Sequence, residues 1–156
     1  MKRTLNFDVD GIDSLANLIR KGLKGYASNT EQLGGMTTLW CFLCDDAVLK
    51  IHSVMTDIGG WDEVGTLVFR LATKDDNLPE MIPLPPTWGC VASVEKLELD
   101  EDDFSAESGL VIQTCDGEEL IVVCGTNVYT IQMTAPFFSC KFQPEYEINR
   151  YKRMSL

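Results

Sequence analysis

The chain predicts an α+β fold: a mainly antiparallel β-sheet built of hairpins, with one N-terminal α-helix packed on it. Three observations carry this expectation. Residues 12 to 23 hold the one helical repeat, most segments from Met36 onward alternate apolar and polar residues as strands do, and turn pairs divide them. A strand and helix followed by successive hairpins is the order of an α+β domain rather than of alternating βαβ units.

The elements follow in order. Leu5, Phe7 and Val9 alternate as in a strand, and the period changes at Asp10-Gly11. Ile12, Leu15, Ala16, Ile19 and Leu23 then share one helical face. Asp10 is placed as N-cap and Asp13 in the positive first turn, while Arg20, Lys21 and Lys24 fall at the negative end and Gly25 is placed as the stop. Thr37 to Leu43 reads as a strand, closed by a turn at Asp45-Asp46. Residues 47–55 fit both periods: Leu49, Ile51 and Met55 suit a strand, and Val48, Ile51 and Met55 suit a helix. Gly34-Gly35 and Gly59-Gly60 are turn residues, and Leu67, Phe69 and Leu71 define a further strand through Thr73.

Residues 78–89 hold Pro79, Pro83, Pro85 and Pro86, which predicts an extended loop dividing N- and C-terminal β segments of a single domain spanning 1–156. Val91 to Leu99 resumes as a strand, ended by the acidic turn Asp100 to Asp103. Leu110 to Cys115 and Glu118 to Cys124 flank Asp116-Gly117, a strong hairpin signal, and both faces of that hairpin are apolar, as in central strands. Val128 to Met133 returns as a strand, and an aromatic tail from Phe137 to Tyr151 ends in Arg150, Lys152 and Arg153.

Composition bounds the function. The 45% hydrophobic and 24% charged fractions are those of a globular domain. The N-terminus mixes Asn6, Asp8 and Asp10 into what a secretory signal would need as an apolar run, and no apolar stretch approaches the ~20 residues that span a bilayer. The cysteines at 41, 44, 90, 115, 124 and 140 are therefore expected to be reduced thiols, and the compartment cytoplasmic. Of the net charge of −11, a block of ten carboxylates between residues 95 and 119, opposed only by Lys96, supplies −9. Such a field repels nucleic acid and anionic membranes and attracts basic surfaces.

Several motifs bear on chemistry. Phe7 to Gly11, FDVDG, resembles the first motif of the haloacid-dehalogenase-like phosphohydrolases. The resemblance implies Asp8 as nucleophile, Asp10 as general acid and magnesium alongside. It extends to these five residues only: that family's later acidic pair has a mimic at Leu43 to Asp46 that comes too early, and the rest of the chain reads as hairpins. Asn6, Asp8, Asp10, Gly11 and Asn17 fall at calcium-loop offsets, but Asn17 cannot supply the bidentate carboxylate that the last position requires. Trp40 to Cys44, WCFLC, resembles the thioredoxin redox motif, which needs its first thiol at a helix N-terminus; Phe42 and Leu43 instead suggest a buried strand. His52 is the single histidine, with no motif around it. Pro83 to Pro86 spells PxxP without flanking cations.

No catalytic constellation is complete, and no cofactor is implied. The expected function is a non-catalytic cytoplasmic protein-binding protein, in its concrete form an immunity or antitoxin-like protein neutralising a basic partner through Glu98, Asp100, Glu101, Asp102, Asp103 and Glu107. The alternatives are a metal-dependent phosphohydrolase using Asp8 and Asp10, and a self-associating structural or small-ligand-binding domain, a homodimer among its forms, whose cavity takes Trp61, Trp88 and Phe137. If the hairpin tip at Asp116 to Glu119 folds back beside Asp100 to Asp103, the block becomes one acidic rim.

Overall fold

The computed structural model describes residues 2–30, 36–60, 62–139 and 141–156. In chain order the elements are β1 (Arg3–Leu5), α1 (Leu15–Arg20), β2 (Leu23–Ser28), β3 (Trp40–Cys44), β4 (Ala47–Gly59), β5 (Asp62–Leu71), β6 (Ile82–Pro83), β7 (Val91–Asp100), β8 (Phe104–Thr114), β9 (Glu119–Cys124), β10 (Ile131–Thr134) and β11 (Tyr151–Ser155). Strands dominate and helix is sparse, and the strands form two mainly antiparallel sheets rather than one. The first runs β10-β9-β8-β7-β11, with β1 parallel to the start of β8; the second runs β5-β4-β3-β2-β6. Gly34, Gly35, Trp61 and Cys140 lie outside the described residues.

The main core is drawn from both sheets. Trp40, Phe42, Leu49, Ile51, Leu67 and Phe69 of the second meet Val94, Leu110, Ile112, Leu120 and Val122 of the first. These are alternate positions along each strand, so each sheet turns one apolar face to the other. The opposite face of the first sheet carries a second cluster, Leu97, Leu99, Phe104, Val111, Val123 and Tyr151, with Tyr146 and Ile148 of the tail packed on it. Two apolar faces on the β8–β9 hairpin are thus both used, and its turn at Asp116-Gly117 forms with Gly117 at φ +88°.

The N-terminal segment departs most from expectation. Only Arg3–Leu5 pairs as a strand; Asp8 then forms an isolated parallel bridge to Val68, with its N–H donating to the Leu67 carbonyl at 3.2 Å, so this segment ties the two sheets together. The helix is half the expected length. Its N-cap is Ser14, whose Oγ accepts from the Asn17 N–H at 3.2 Å, and not Asp10, and no acid lies in its first turn. It ends at Arg20, and Gly22, just beyond the Lys21 cap, adopts φ +102° against the Gly89 backbone; a β-carbon there would lie 2.6 Å from the Gly89 carbonyl oxygen. Leu23, Gly25 and Ala27 then alternate inward in β2, so Gly25 lies within a strand and does not stop the helix. Cross-strand pairing of β2 with β3 has overridden the helical spacing of Leu23.

Residues 47–55 are strand. The short turn at Asp45-Asp46, with Asp45 at φ +59°, sets Ala47 opposite Cys44, and the register carries β4 outward against both β3 and β5. The proline-rich segment contains the short β6 and a 3-10 turn at Pro86–Gly89 that buries Trp88. The strand expected from Val128 begins only at Ile131, because Val128 and Tyr129 form an exposed turn with Tyr129 at φ +63°.

The expectation of six reduced thiols is corrected. Cys90 and Cys115 form a disulfide, with their α-carbons 5.7 Å apart. Pairing of Val91 with Thr114 in the β7–β8 ladder brings the two cysteines together across 25 residues of sequence. Cys41, Cys44 and Cys124 are buried free thiols.

Candidate functional site

The acidic segment lies on β7, β8 and their two ends, and the fold divides it. The eleven residues of β8 separate Asp100 to Asp103 from Asp116 to Glu119, a span of about 33 Å at ~3.3 Å per residue. The single acidic rim is not formed: a strand joining the two turns puts them at opposite ends of the sheet.

Much of the charge is met within the chain. Strand β11 lies antiparallel to β7, with Lys152 opposite Glu98. Lys2 and Lys152 (2.6 Å) both hold Asp100, Arg150 holds Glu101, and Arg153 binds Glu119 through two hydrogen bonds at 2.6 and 3.0 Å. Counting Lys2, Arg150, Lys152 and Arg153 with the block reduces its net charge from −9 to −5. The basic tail was legible as a cluster of opposite sign; what assigned it to the acids was its pairing with β7, which no local pattern announces.

Glu107 does not belong to an exposed binding face. It is buried beneath the N-terminal segment, where one carboxylate oxygen accepts the Phe7 N–H at 2.7 Å and the other pairs with Lys96. The residues that remain together at the β7–β8 turn are Glu98, Asp100, Glu101, Asp102 and Asp103, of which Asp102 and Asp103 are exposed and make no side-chain ion pair among the described residues.

Hydrogen bonds from Lys152 and Lys2 hold the Asp100 carboxyl down at about 2, below its ordinary 3.8. A group with a depressed folded value stabilises the fold above its unfolded value and loses that contribution as pH falls through the folded one. The Asp100 contribution is therefore expected to be intact at pH 5 and to fade between about pH 4 and 2. Carboxyl NMR titration should place Asp100 near 2, and Lys152→Met should move its midpoint upward; an unchanged midpoint would refute the pairing.

The chain matches no family model, no curated protein and no solved structure. Function must be read from its own groups.

Asp8 does not stand free as a nucleophile. Its two oxygens receive the Arg70 guanidinium at 2.8 Å each, a third contact comes from the Asp10 N–H at 3.2 Å, and this bonding lowers its pKa. The carboxylate and guanidinium form a bidentate pair at the edge where the N-terminal segment meets β5. Asp10 is exposed and lies near the same Arg70 guanidinium, and among the described residues no group of three or more His, Cys, Asp or Glu is arranged to hold a metal ion. Asn17, the last of the calcium-loop positions, lies on α1.

Cys41 and Cys44 lie on the buried strand β3. Desolvation pushes their thiols up to about 11 and about 12, the reverse of a reactive pair at a helix N-terminus. His52, half-buried on β4, has its pKa lowered by desolvation and by Lys50 and Arg70 nearby. Trp88 is fully buried and Phe137 packs edge-on against it at 5.3 Å, so these aromatics fill the core rather than line an open cavity; Trp61 is outside the described residues.

A cleft of about 440 Å³ lies between α1, the N-terminal segment and the face of β7–β8. Phe7, Val9, Leu15 and Ala16 form apolar walls, Lys96 and Glu107 lie on the floor, and Arg20 stands at the rim. No sequence motif marks it, because its lining is drawn from residues 7–20, Lys96, Glu107 and Leu156, four separated places in the chain. A smaller cavity of about 190 Å³ lies between Trp40, Phe138 and the β9–β10 turn. Among the described residues, no helix is long and apolar enough to cross a membrane.

Proposed function

We propose that this chain is a non-catalytic protein-binding domain whose acidic β7–β8 turn receives a basic partner, with an immunity or antitoxin-like role as the concrete form. One observation supports the reading: the turn already binds cations of its own chain. Asp100 and Glu101 hold two ammonium groups and a guanidinium, while Asp102 and Asp103 beside them remain exposed. A partner's lysines and arginines would meet the same kind of oxygen array, and the exposed field would steer their approach. The buried thiols and the Arg70-bound Asp8 favour this reading over an enzyme. On compartment, an N-terminus unlike a secretory signal led to the expectation of cytoplasm, whereas the Cys90–Cys115 disulfide belongs to oxidising surroundings; the disulfide is the more specific observation.

The test is titration calorimetry with a nona-arginine peptide. The double variant Asp102→Asn/Asp103→Asn is expected to bind about 10-fold more weakly, the sum of two rim charges. Asp116→Asn/Glu118→Gln, at the other end of β8, should bind as the parent does. Equal loss in both variants, or affinity that does not fall with added salt, would overturn the assignment to this turn.

A further inference from the structure

We propose that the outer edge of β11 pairs with the same edge of a second copy of this chain, so that the first sheet runs unbroken through a two-fold homodimer. This interface does not depend on the reading given to the acidic turn. A strand at the border of a sheet leaves a row of backbone donors and acceptors unpaired, and such rows are ordinarily covered or interrupted. The borders at β5, β10 and β6 are treated so. On β5, Gly65 donates to Glu145 and accepts from Ser108, while the Leu67 carbonyl and the Phe69 N–H are taken by Asp8. On β10, the Ile131 N–H goes to Thr37 and its carbonyl accepts from Trp40; β6 is short and ends in Pro83.

The β11 edge is left open. Leu156 donates to the Val94 carbonyl, which fixes the alternation: Lys152 and Met154 turn their backbone groups to β7, and Arg153 and Ser155 turn theirs outward, where no described residue meets them. Two-fold pairing of these outward groups sets Arg153 of each copy against Ser155 of the other, each pair exchanging both backbone hydrogen bonds, and brings the two Met154 side chains together on the axis. Met154 is 41% exposed in the single chain. In this register no cation stands directly opposite a cation, since Lys152 faces Leu156. Charged side chains on an edge normally keep other strands away, but these are engaged within their own chain, Lys152 with Asp100 and Arg153 with Glu119 and Glu95. The two Arg153 side chains become diagonal neighbours at about 7 to 8 Å, each beside its own acids. In a chain of net charge −11, β11 is a border without an acid, so a second copy meets least repulsion there. A strand this short buries less than the roughly 1,200 Å² of a standard interface, which makes the dimer concentration-dependent.

Sedimentation velocity and amide hydrogen exchange on the full chain, between about 10 µM and 1 mM, test this. Dimer is expected to accumulate across that range. Met154→Asp sets like charges on the axis, and Ser155→Pro removes an outward donor without touching the β7 ladder. Both residues are exposed, so each variant should fold as the parent does and dimerise at least about 10-fold more weakly. With rising concentration the Arg153 and Ser155 amides should exchange about 5-fold more slowly, while those of Lys152 and Met154, already held by β7, should not change. If either variant fails to fold, exchange in the parent chain still decides. A chain that stays monomeric at the highest concentration, a dimer that both folded variants leave intact, or a dimer whose Arg153 and Ser155 amides gain no protection would each overturn the proposal.

Discussion

Replacing Cys90 and Cys115 by serine is expected to lower stability by about 3 kcal/mol, from the chain entropy of closing a loop of this length. For a chain of this size that is a fall in Tm of roughly 6 to 12 °C. The bond joins the start of β7 to the end of β8, immediately after the 3-10 turn that buries Trp88. That turn is a place where release has something to gain, since the Trp88 Nε1–H is buried and has no hydrogen-bond partner among the described residues. Chemical denaturation of parent and double-serine variant, each monitored by tryptophan fluorescence, measures the difference. A loss below about 1 kcal/mol would mean that the linkage does not constrain the unfolded chain as the entropy argument requires.

Lys96→Met should cost about 2 to 3 kcal/mol. Glu107 would keep the Phe7 N–H but lose the one cation it pairs with among the described residues, and a buried carboxylate without its counter-charge is far more expensive than no ion pair at all. The figure stands below that of a fully enclosed pair because the Lys96 side chain is about a quarter exposed. The double variant Lys96→Met/Glu107→Leu removes both charges, and it should recover much of the loss while the Phe7 N–H goes unanswered. A double-mutant cycle by urea denaturation reads the coupling; additive losses would show that the two side chains do not interact.

How far the chain could be read follows from the range of the interactions involved. The alternation of Leu97 with Leu99 and of Leu110 with Ile112, and the Asp116-Gly117 turn, are local, and each sits where its pattern put it. Leu23 carried the same kind of local signal and gave the wrong element, because β3 was waiting to pair with that segment. The same holds for residues 47–55, whose two periods could be separated only by neighbours on both sides. For the acidic site, charge and position were legible, but orientation was not: Glu107 looks like its neighbours in sequence and lies beneath the Phe7 backbone in the fold.

By itself, the sequence determined that antiparallel hairpins dominate the chain after one N-terminal helix, that its negative charge is concentrated in about one sixth of its length, and that the FDVDG and WCFLC resemblances lack supporting residues. Alternation, turn chemistry and charge are properties of neighbouring residues, so a sequence displays them directly. Only the tertiary structure decided that the strands divide into two sheets, that Cys90 meets Cys115, that β11 neutralises part of the acidic block, and that α1 stands over Lys96 and Glu107 to form a cleft. Each of these depends on strand register between distant segments, and a shift of one residue would turn every side chain in a strand to the other face.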